Sequence, residues 1–587
     1  MGEDPRPLDA VVNEVVAEAH LRPDELRPEE RAYLKDHALK KPLRVFDIWA
    51  LGVGVVIAGA YVGWNLGLKG NGPVAVLIAS LLVCLLYLVW VLALAELCVA
   101  MPFAGGPLAY GRRTADPSLG FVMGWSMFLE CQFAGLAAVM ATGGYIAFLL
   151  DHDHPSPVVQ CLASLATLAL FFVLQAWGVK EQSWVMMVMT WGAILGLVLF
   201  GAAAGTNFSG QRVWPRGELL PAGKGWGAVL DAVPYALWWL VMIETVALAA
   251  EEAHEPHRTV PRGLVWAQLT LIVLVVLTWV CACGALDAQQ LAVSPAGEDI
   301  TYPLAEVIHR IPLGRSSPAL VLGFGTVALF GLIASYHGMI YGSSRQAFAL
   351  GRAGYLPAFL GGVHPRRRTP VPALLTCSLV NAAFVVAGLW FKKAIDVAIL
   401  VSTLTALVWY ILAMGCLCLL RRREPALFRT YRAPVYWLLP VTVIALSVFA
   451  VYVYSGIDVK VIPLTALLYA LGLAYYWFWG HGRIQKAAPE ELAARQAHPP
   501  AEPVALSAKH LPEGGKPPGR LVLWPERLAA VVLGAVLLCV AWMVAVAYQP
   551  LGWMRLPSLE AEVVAVVGLL TLALLLVSAV ALLHTRK

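Results

Sequence analysis

The stretch FDIWALGVGVVIAGAYVGWNLGL, residues 46–68, is an apolar run that is long enough to cross a membrane but is rich in glycine. A membrane helix needs about 20 mostly apolar residues, whereas each glycine weakens a helix by about 1 kcal/mol relative to alanine. Two interpretations follow. Gly59, Gly63 and Gly67 are spaced for close helix packing. Alternatively, the polar Asn65 and the small residues at 58–60 indicate a discontinuous helix whose unwound backbone lines a binding site.

Composition places the whole chain in a membrane. Of 587 residues, 59% are apolar and 13% are charged, against roughly 45–50% and 25% in soluble domains. This excludes an ordinary soluble protein and a basic nucleic-acid binder, so no nucleic-acid partner is expected. Unpaired backbone groups are costly in lipid, which favours helices for such long runs. Fourteen apolar runs are centred near residues 57, 86, 135, 168, 193, 238, 274, 330, 381, 408, 445, 470, 538 and 572.

The basic residues set the orientation. If the N-terminus is cytoplasmic, about three quarters of the 42 Lys and Arg residues lie on the cytoplasmic side of these runs, as the positive-inside rule requires. We therefore expect a multi-pass protein of the inner or plasma membrane with both termini in the cytoplasm.

Polar segments divide the chain into four parts. Residues 1–44 form a cytoplasmic N-terminal arm, which is either a membrane-surface or regulatory element or a solvated leader. Residues 45–482 form a twelve-helix body. Residues 483–525, rich in Pro, Ala, Glu and Lys, read as a flexible cytoplasmic linker. Residues 526–587 hold two additional membrane helices and a short cytoplasmic tail, whose role in anchoring or oligomerisation stays open, as does the oligomeric state.

Three acidic residues lie inside apolar runs, where an ionisable group is costly and indicates function. Glu96 lies near the cytoplasmic end of its run, which favours a structural or gating role. Glu130 and Glu244 lie deeper. A buried carboxylate can neutralise an amine or carry a proton. The alternative is a protonated Glu that is hydrogen-bonded between helices.

Three cytoplasmic segments resemble the amino acid–polyamine–organocation transporter superfamily. They are AELCVAMPFAGGPLAYGRR (95–113), AAEEAHEPHRTVPRG (249–263) and SRQAFALGRAGYLPAFLGGVHPRRRTPVPA (344–373), and the resemblance extends over residues 44–481.

Within the superfamily, the ethanolamine permease family is most similar in VVIAGAYVGWNLGL (55–68), FLECQFAG (128–135) and FGLIASYHGMI (330–340). Two positions depart from that family. Ala58-Gly59-Ala60 stands where the family has Ser-Gly followed by Glu or Met, and Thr245 stands where it has Gly.

The resemblance implies a five-plus-five inverted repeat with a midplane site between broken first and sixth helices. Substrate would then meet the backbone of the first helix at Ile57, Ala58, Gly59, Ala60 and Tyr61. The sixth helix would contribute Tyr235, Trp238 and Trp239, whose rings can close over a substrate or hold a cation, or else merely pack.

The coupling ion stays open among proton symport, sodium symport and exchange. Proton-driven relatives carry a Lys in the fifth helix, where this chain has Ala193. Sodium-coupled relatives use hydroxyls of the eighth helix, for which Ser335 is the candidate. The nearby His337 is either a group that can titrate near neutrality or a hydrogen-bonded core histidine. The run Asp151–His154 reads as a solvated turn, so we assign no metal and no cofactor.

These observations predict a secondary active transporter that imports a small amine-bearing solute, ethanolamine-like or an amino acid, by alternating access. Glu130 is the candidate for recognising the amine, with Glu244 as a second acidic contact. The alternative is a transporter-like membrane sensor of amines or amino acids. The chain has no phosphate loop and no H-E-x-x-H helix, so we do not expect an enzyme.

Overall fold

The computed structural model describes residues 26–37, 41–151, 155–177, 179–214, 220–294, 299–391, 393–454 and 461–495, together with residues 12, 13, 15, 16, 39 and 297. This part of the chain is helical and contains no strand beyond two isolated bridges, Leu43 with Ala253 and Val293 with Asp299. The apolar runs near 538 and 572, and thus the predicted helices of residues 526–587, lie outside the described residues.

In chain order the α-helices are α1 (Pro28–His37), α2 (Val45–Val56), α3 (Ala58–Tyr61), α4 (Gly72–Ala100), α5 (Gly106–Thr114), α6 (Pro117–Leu150), α7 (Pro157–Trp177), α8 (Val179–Gly205), α9 (Gly210–Val213), α10 (Gly227–Leu237), α11 (Thr245–Leu248), α12 (Pro256–Ala285), α13 (Ala288–Ala292), α14 (Pro303–Arg310), α15 (Pro312–Ser316), α16 (Pro318–Arg352), α17 (Val371–Ala387), α18 (Ala394–Arg423), α19 (Leu439–Tyr454), α20 (Val461–Tyr475) and α21 (Pro489–Arg495). Short 3₁₀ turns join several of them, at Trp64–Leu68, Ala250–Glu252, Ala358–Gly361 and Pro425–Phe428.

Eight of the described helices are long and apolar enough to cross a membrane. They are α4, α6, α7, α8, α12, α16, α18 and α20 with its short continuation to Arg483. The four remaining apolar runs of residues 45–482 coincide with shorter apolar helices, namely α2 with α3, α10, α17 and α19. The structure is therefore that of an all-helical, polytopic membrane protein.

The first span is interrupted, as the small residues 58–60 and Asn65 indicate, and the break lies between them at Val62 and Gly63. After α3 the chain becomes extended at Val62 (φ −156°, ψ 154°) and then turns left-handed at Gly63 (φ 94°) before a 3₁₀ turn begins at Trp64. A side chain is strained at positive φ, and glycine is not. The helix is thus discontinuous.

The sixth span is interrupted in the same manner. Helix α10 ends at Leu237 and α11 begins at Thr245, with a run of turns between them in which Met242 has φ 82°. Pro234 lies within α10 and lacks the N–H that a regular helix would use, which weakens the helix just before the interruption.

The membrane helices pack in two groups. In the first group, α12 packs along α2 and α4, and α10 packs along α4. In the second, the two longest helices, α6 and α16, pack against each other, and α7 and α17 pack beside them. Helix α8 contacts both groups, and α18 packs mainly along α6. The two interrupted spans belong to the first group.

The last described residues form a packed helix, whereas the sequence predicts a flexible linker from residue 483. Helix α21 lies within residues 483–525, yet Ala488, Leu492 and Ala493 are buried at one end of the helical body. Its two acidic residues are buried as well: Glu490 binds Arg352, and Glu491 binds Arg112. The segment packs through small apolar residues and through acidic residues that bind arginines. Its polar composition does not indicate this. The packed body therefore extends to Arg495; residues 496–525 lie outside the description.

Arg352 is the centre of a buried cluster at this end. Its guanidinium donates to both oxygens of Glu251 at 2.9 and 2.8 Å and to Glu490 at 2.6 Å. Its backbone carbonyl accepts a hydrogen bond from Tyr33 of α1. We call Arg352, Glu251 and Glu490 the arginine cluster. Part of the N-terminal arm is thus packed on the body rather than solvated.

Candidate functional site

The two helix interruptions lie directly against each other. A Cβ atom built on Gly59 would be 2.5 Å from the carbonyl oxygen of Trp238 and 2.9 Å from both Cα and the carbonyl oxygen of Trp239. Only a glycine allows backbone to approach backbone this closely. The close packing and the discontinuity predicted for the first span are therefore both present, at Gly59 and at Val62–Gly63 respectively.

Ser335 of α16 bridges two backbone groups at the junction of α2 and α3. Its hydroxyl accepts a hydrogen bond from the N–H of Ala58 at 2.7 Å and donates one to the carbonyl oxygen of Gly54 at 2.8 Å. The hydroxyl of Tyr145 donates to the carbonyl oxygen of Tyr61 at 2.9 Å. Helices of the second packed group thus satisfy backbone groups of the interrupted first span, which fixes the shape of the interruption.

Ser335→Ala is expected to destabilise the protein with or without sodium. The substitution leaves the buried N–H of Ala58 without its acceptor, which typically costs about 1–3 kcal/mol. Thermal unfolding of the detergent-purified protein measures this loss, and Ser316→Ala is the control because its exposed hydroxyl makes only one local bond. A wild-type stimulation by sodium that Ser335→Ala removes selectively would instead assign Ser335 to the coupling ion.

The three aromatic candidates of the sixth span occupy different positions. The indole of Trp238 lies over Gly63, where a Cβ would be 2.5 Å from its Cδ1 atom, and within the described residues its buried Nε1 has no hydrogen-bond partner. Trp239 stacks on Trp64 with ring centroids 4.8 Å apart and donates to Ser80. Trp239 therefore packs between spans, and Trp238 covers the interruption. Tyr235 is half-buried and lies beside Gly67 of the first span.

Tyr61 contributes its backbone to the site but its ring to a helix interface. The hydroxyl donates to the carbonyl oxygen of Ala193 at 2.7 Å on α8. Ala193 falls near the position at which the family resemblance implies a lysine in proton-driven relatives. Here that position is buried and supplies only a backbone acceptor.

Glu130 and Glu244 are brought together by the neighbouring residues Trp409 and Tyr410 of α18, at the end of the second interruption. Both are fully buried. The Trp409 indole N–H donates to Oε2 of Glu130 at 2.6 Å, while the Tyr410 hydroxyl and the N–H of Met242 donate to Oε1 of Glu244. Within the described residues, the remaining oxygens, Oε1 of Glu130 and Oε2 of Glu244, have no hydrogen-bond partner.

Four aromatic side chains that sequence reasoning missed surround this pair. Trp90 stacks on Tyr410 with centroids 4.1 Å apart, Tyr410 shares a 3.1 Å hydroxyl contact with Tyr87, and Trp409 lies edge-on to Trp90. We call the two glutamates with Tyr87, Trp90, Trp409 and Tyr410 the carboxyl–aromatic box. The sequence feature that could have indicated these residues is the adjacent pair Trp409-Tyr410 in the middle of an apolar run.

Glu96 lies apart from this site. Its carboxylate accepts from Arg421 at 3.0 Å and from the N–H of Ala433 at 2.8 Å. This pairs the C-terminal ends of α4 and α18. Among the described residues, no three His, Cys, Asp or Glu side chains are arranged to hold a metal ion; His152 to His154 lie outside them.

Known proteins match this chain over most of its length. The family model described as "Amino acid permease" matches residues 43–477. An uncharacterised transporter of Rhizobium meliloti is 29% identical over 73% of this chain and 90% of its own length. A branched-chain amino acid permease of Bacillus subtilis is 26% identical over 71% and 88%, and a methylthioribose transporter of the same species is 25% identical over 73% and 91%.

Proposed function

Because the chain belongs to the amino acid permease family, a family of transporters and not of enzymes, we propose that it imports an amino acid across the plasma membrane by alternating access. The observation that carries this proposal is the backbone contact of the two interrupted spans at Gly59 and Trp238. Interrupted membrane helices offer backbone N–H and C=O groups to a charged substrate at mid-membrane.

The backbone of both interruptions supplies the proposed binding groups. We place the substrate carboxylate at the backbone of the first span beside Gly59 and the amino group at carbonyl oxygens of residues 238–241, because helix N-termini favour anions and exposed carbonyls favour cations. Trp238 covers this region from the side of the sixth span. Ile57 to Tyr61 thus act through backbone atoms, which explains why their side chains need not be polar.

Alternating access requires two bodies that move relative to each other, and the two packed groups of helices provide them. The first and sixth spans are both interrupted, and the third and eighth, α6 and α16, are the two longest helices at 34 and 35 residues. This correspondence supports a five-plus-five repeat. Opening on either side would then separate α2, α4, α10 and α12 from α6, α7, α16 and α17.

The surroundings favour an apolar amino acid. A Cβ on Gly63 would contact the Trp238 indole on one side and Cδ1 of Ile399, 3.1 Å away, on the other. Such apolar walls suit a branched aliphatic side chain, and branched-chain permeases are among the relatives. We therefore propose leucine, isoleucine or valine as substrates.

A second candidate is an ethanolamine-like amine. The observation that favours it is the carboxyl–aromatic box, since carboxylates and aromatic faces both attract organic cations. The prediction specific to this candidate is that Glu130→Gln abolishes amine uptake. We give it second place because ethanolamine lacks the carboxylate that the helix interruptions are suited to bind.

Ligand-induced stabilisation separates the two candidates. A ligand that binds only folded protein stabilises it by roughly 2.7 kcal/mol at a hundredfold excess over Kd. We expect leucine, isoleucine and valine to raise the melting temperature of the purified protein, and ethanolamine to leave it unchanged. A shift by ethanolamine alone would reverse this order. Leucine counterflow in proteoliposomes then tests transport, and binding without any counterflow would favour the sensor alternative.

A further inference from the structure

The last turn of α18 and its connection to α19, residues 421–438, contain five arginines and one acidic residue. Part of this charge is bound within the protein: Arg421 by Glu96, Arg423 by the carbonyl oxygen of Thr114, and Glu424 by Arg113. The other three arginines, Arg422, Arg429 and Arg432, are exposed. In the part of the chain that the structure describes, none of these three forms an ion pair with a carboxylate.

The backbone of this connection is fixed by the buried Glu96 and its partner Arg421. Glu96 accepts a hydrogen bond from the N–H of Ala433 at 2.8 Å, and Arg421 donates one to the carbonyl oxygen of Tyr436 at 2.7 Å. Val435 lies between these two contacts and has φ 51°, a conformation that β-branched residues rarely adopt. The surface formed here is therefore built into the fold and needs no ligand to form it.

Two exposed aromatic side chains lie on the same connection. The guanidinium of Arg432 is 4.4 Å from the ring centroid of Tyr436, within the range of a cation–π interaction. The next side chain, Trp437, is 66% exposed. We call Arg422, Arg429, Arg432, Tyr436 and Trp437 the basic–aromatic edge. Tryptophan and tyrosine are enriched at the level of the lipid headgroups, so this composition indicates a membrane–water interface.

An exposed apolar stripe of α19 begins next to this edge. Val441, Ala445 and Phe449 are exposed and four residues apart, so they lie on one face of the helix. Helix α19 coincides with one of the apolar runs, and an apolar face of this kind is better covered by acyl chains than by water. Trp437 precedes Val441 by four residues. The edge is thus placed where acyl chains would end and headgroups would begin.

Charge decides which occupant fits this surface. Guanidinium groups bind phosphate oxygens in paired hydrogen bonds, and the apolar stripe suits acyl chains. A second copy of this chain that packed symmetrically on the stripe would bring its own arginines towards these, and like charges across an interface are costly. The positive-inside rule predicts that this connection is cytoplasmic, and the cytoplasmic leaflet carries anionic lipids.

We propose that the basic–aromatic edge and the stripe of α19 bind an anionic phospholipid. Arg422, Arg429 and Arg432 attract its phosphate, Trp437 packs at the level of the glycerol backbone, and the acyl chains cover the stripe. This surface lies outside the candidate substrate site, so the proposal holds whichever solute the protein carries.

Lipid binding to the detergent-purified full-length protein tests this proposal. Dioleoyl phosphatidylglycerol is the probe, and dioleoyl phosphatidylcholine, with the same acyl chains and no net charge, is the comparison. Native mass spectrometry counts the bound lipid, and the melting temperature is recorded in parallel. We expect phosphatidylglycerol to bind and to raise the melting temperature, as any ligand of the folded state does, and phosphatidylcholine to require at least about tenfold more lipid for the same shift.

The test variant combines Arg422→Gln, Arg429→Gln and Arg432→Gln. Its half-saturating concentration of phosphatidylglycerol should rise at least about tenfold, because each arginine near an anionic headgroup contributes separately to the attraction. Without lipid, its melting temperature should stay close to that of wild type, since exposed side chains without ion pairs add little stability. Trp437→Ala is a second, independent variant, and we expect it to weaken binding about threefold.

The matched control removes three other exposed arginines by Arg258→Gln, Arg262→Gln and Arg366→Gln. It changes the net charge of the protein by the same amount but leaves the basic–aromatic edge intact. We expect it to bind phosphatidylglycerol within about twofold of wild type. A loss as large as that of the test variant would mean that overall charge, and not this surface, attracts the lipid, and would overturn the proposal.

Three further outcomes would also overturn it. The first is equal binding of phosphatidylglycerol and phosphatidylcholine, because charge would then not be recognised. The second is stabilisation by inorganic phosphate alone that equals the effect of the lipid, since the site would then bind free phosphate. The third is a test variant that binds phosphatidylglycerol as wild type does but dissociates an oligomer, because a second copy would then be the occupant.

Discussion

Gly59→Val is expected to abolish transport. Even the first carbon of any side chain at this position would be 2.5 Å from the carbonyl oxygen of Trp238 and 2.9 Å from the backbone of Trp239. These are backbone atoms, so they cannot turn aside as a flexible side chain can. The two interruptions would be forced apart, and the backbone groups that we propose as binding groups would lose their arrangement.

The expected size of this effect follows from tight packing. Overpacking typically costs about 1–3 kcal/mol, so the folded protein should survive while its site is distorted. We expect leucine counterflow to fall by at least about a hundredfold for Gly59→Val and substantially for Gly59→Ala. Gly415→Ala on α18 is the control, because a Cβ there meets nothing within 4 Å. Counterflow above half of the wild-type rate in Gly59→Val would contradict the assignment of the site.

Arg352→Ala is expected to cause the largest loss of stability. The guanidinium is buried, and it is shared by two buried carboxylates in the arginine cluster. Burial by itself would raise the pKa of Glu251, yet the charge of Arg352 holds that pKa below its usual value. Removing one partner of a buried ion pair typically costs about 3–5 kcal/mol, because the remaining charge is left without compensation.

Thermal unfolding of the purified protein measures this loss. The control is Arg258→Ala, whose side chain is 65% exposed and pairs with Glu255 at 3.5 Å; exposed pairs contribute only about 0–1 kcal/mol. Adding Glu490→Gln to Arg352→Ala should recover part of the lost stability by removing one uncompensated charge. An unchanged melting temperature in Arg352→Ala would show that the cluster does not hold this end of the helical body together.

Local features of the sequence predict the helices and the first interruption well. The glycines of residues 46–68 indicate both close packing and discontinuity, and the structure has both. The sequence is less informative about α21, because its helix is short and its acids gain a packing role only from distant arginines. Composition predicted a flexible linker there.

The candidate site depends even more on tertiary contacts. Glu130 and Glu244 are individually visible as acids in apolar runs, but nothing local indicates that they meet, or that Trp409 and Tyr410 hold them. In the same way, Trp238 and Trp239 are neighbours in sequence, yet one covers the interruption and the other packs against Trp64. The direction in which each ring points depends on how the chain turns within the interruption. The 3.6-residue period of a helix does not continue through it, so the sequence cannot predict that direction.

Arg352 of the arginine cluster couples two parts of the chain that both bind it. Arg352 binds Glu251, just after α11, and Glu490 of α21 at the same time. Helix α21 and the end of the sixth span therefore share one guanidinium. Thermodynamic linkage is symmetric: whatever free energy the docking of α21 contributes to holding the end of the sixth span in place, the sixth span returns to the docking of α21. A change at either carboxylate is therefore expected to alter the free energy with which the other one is held.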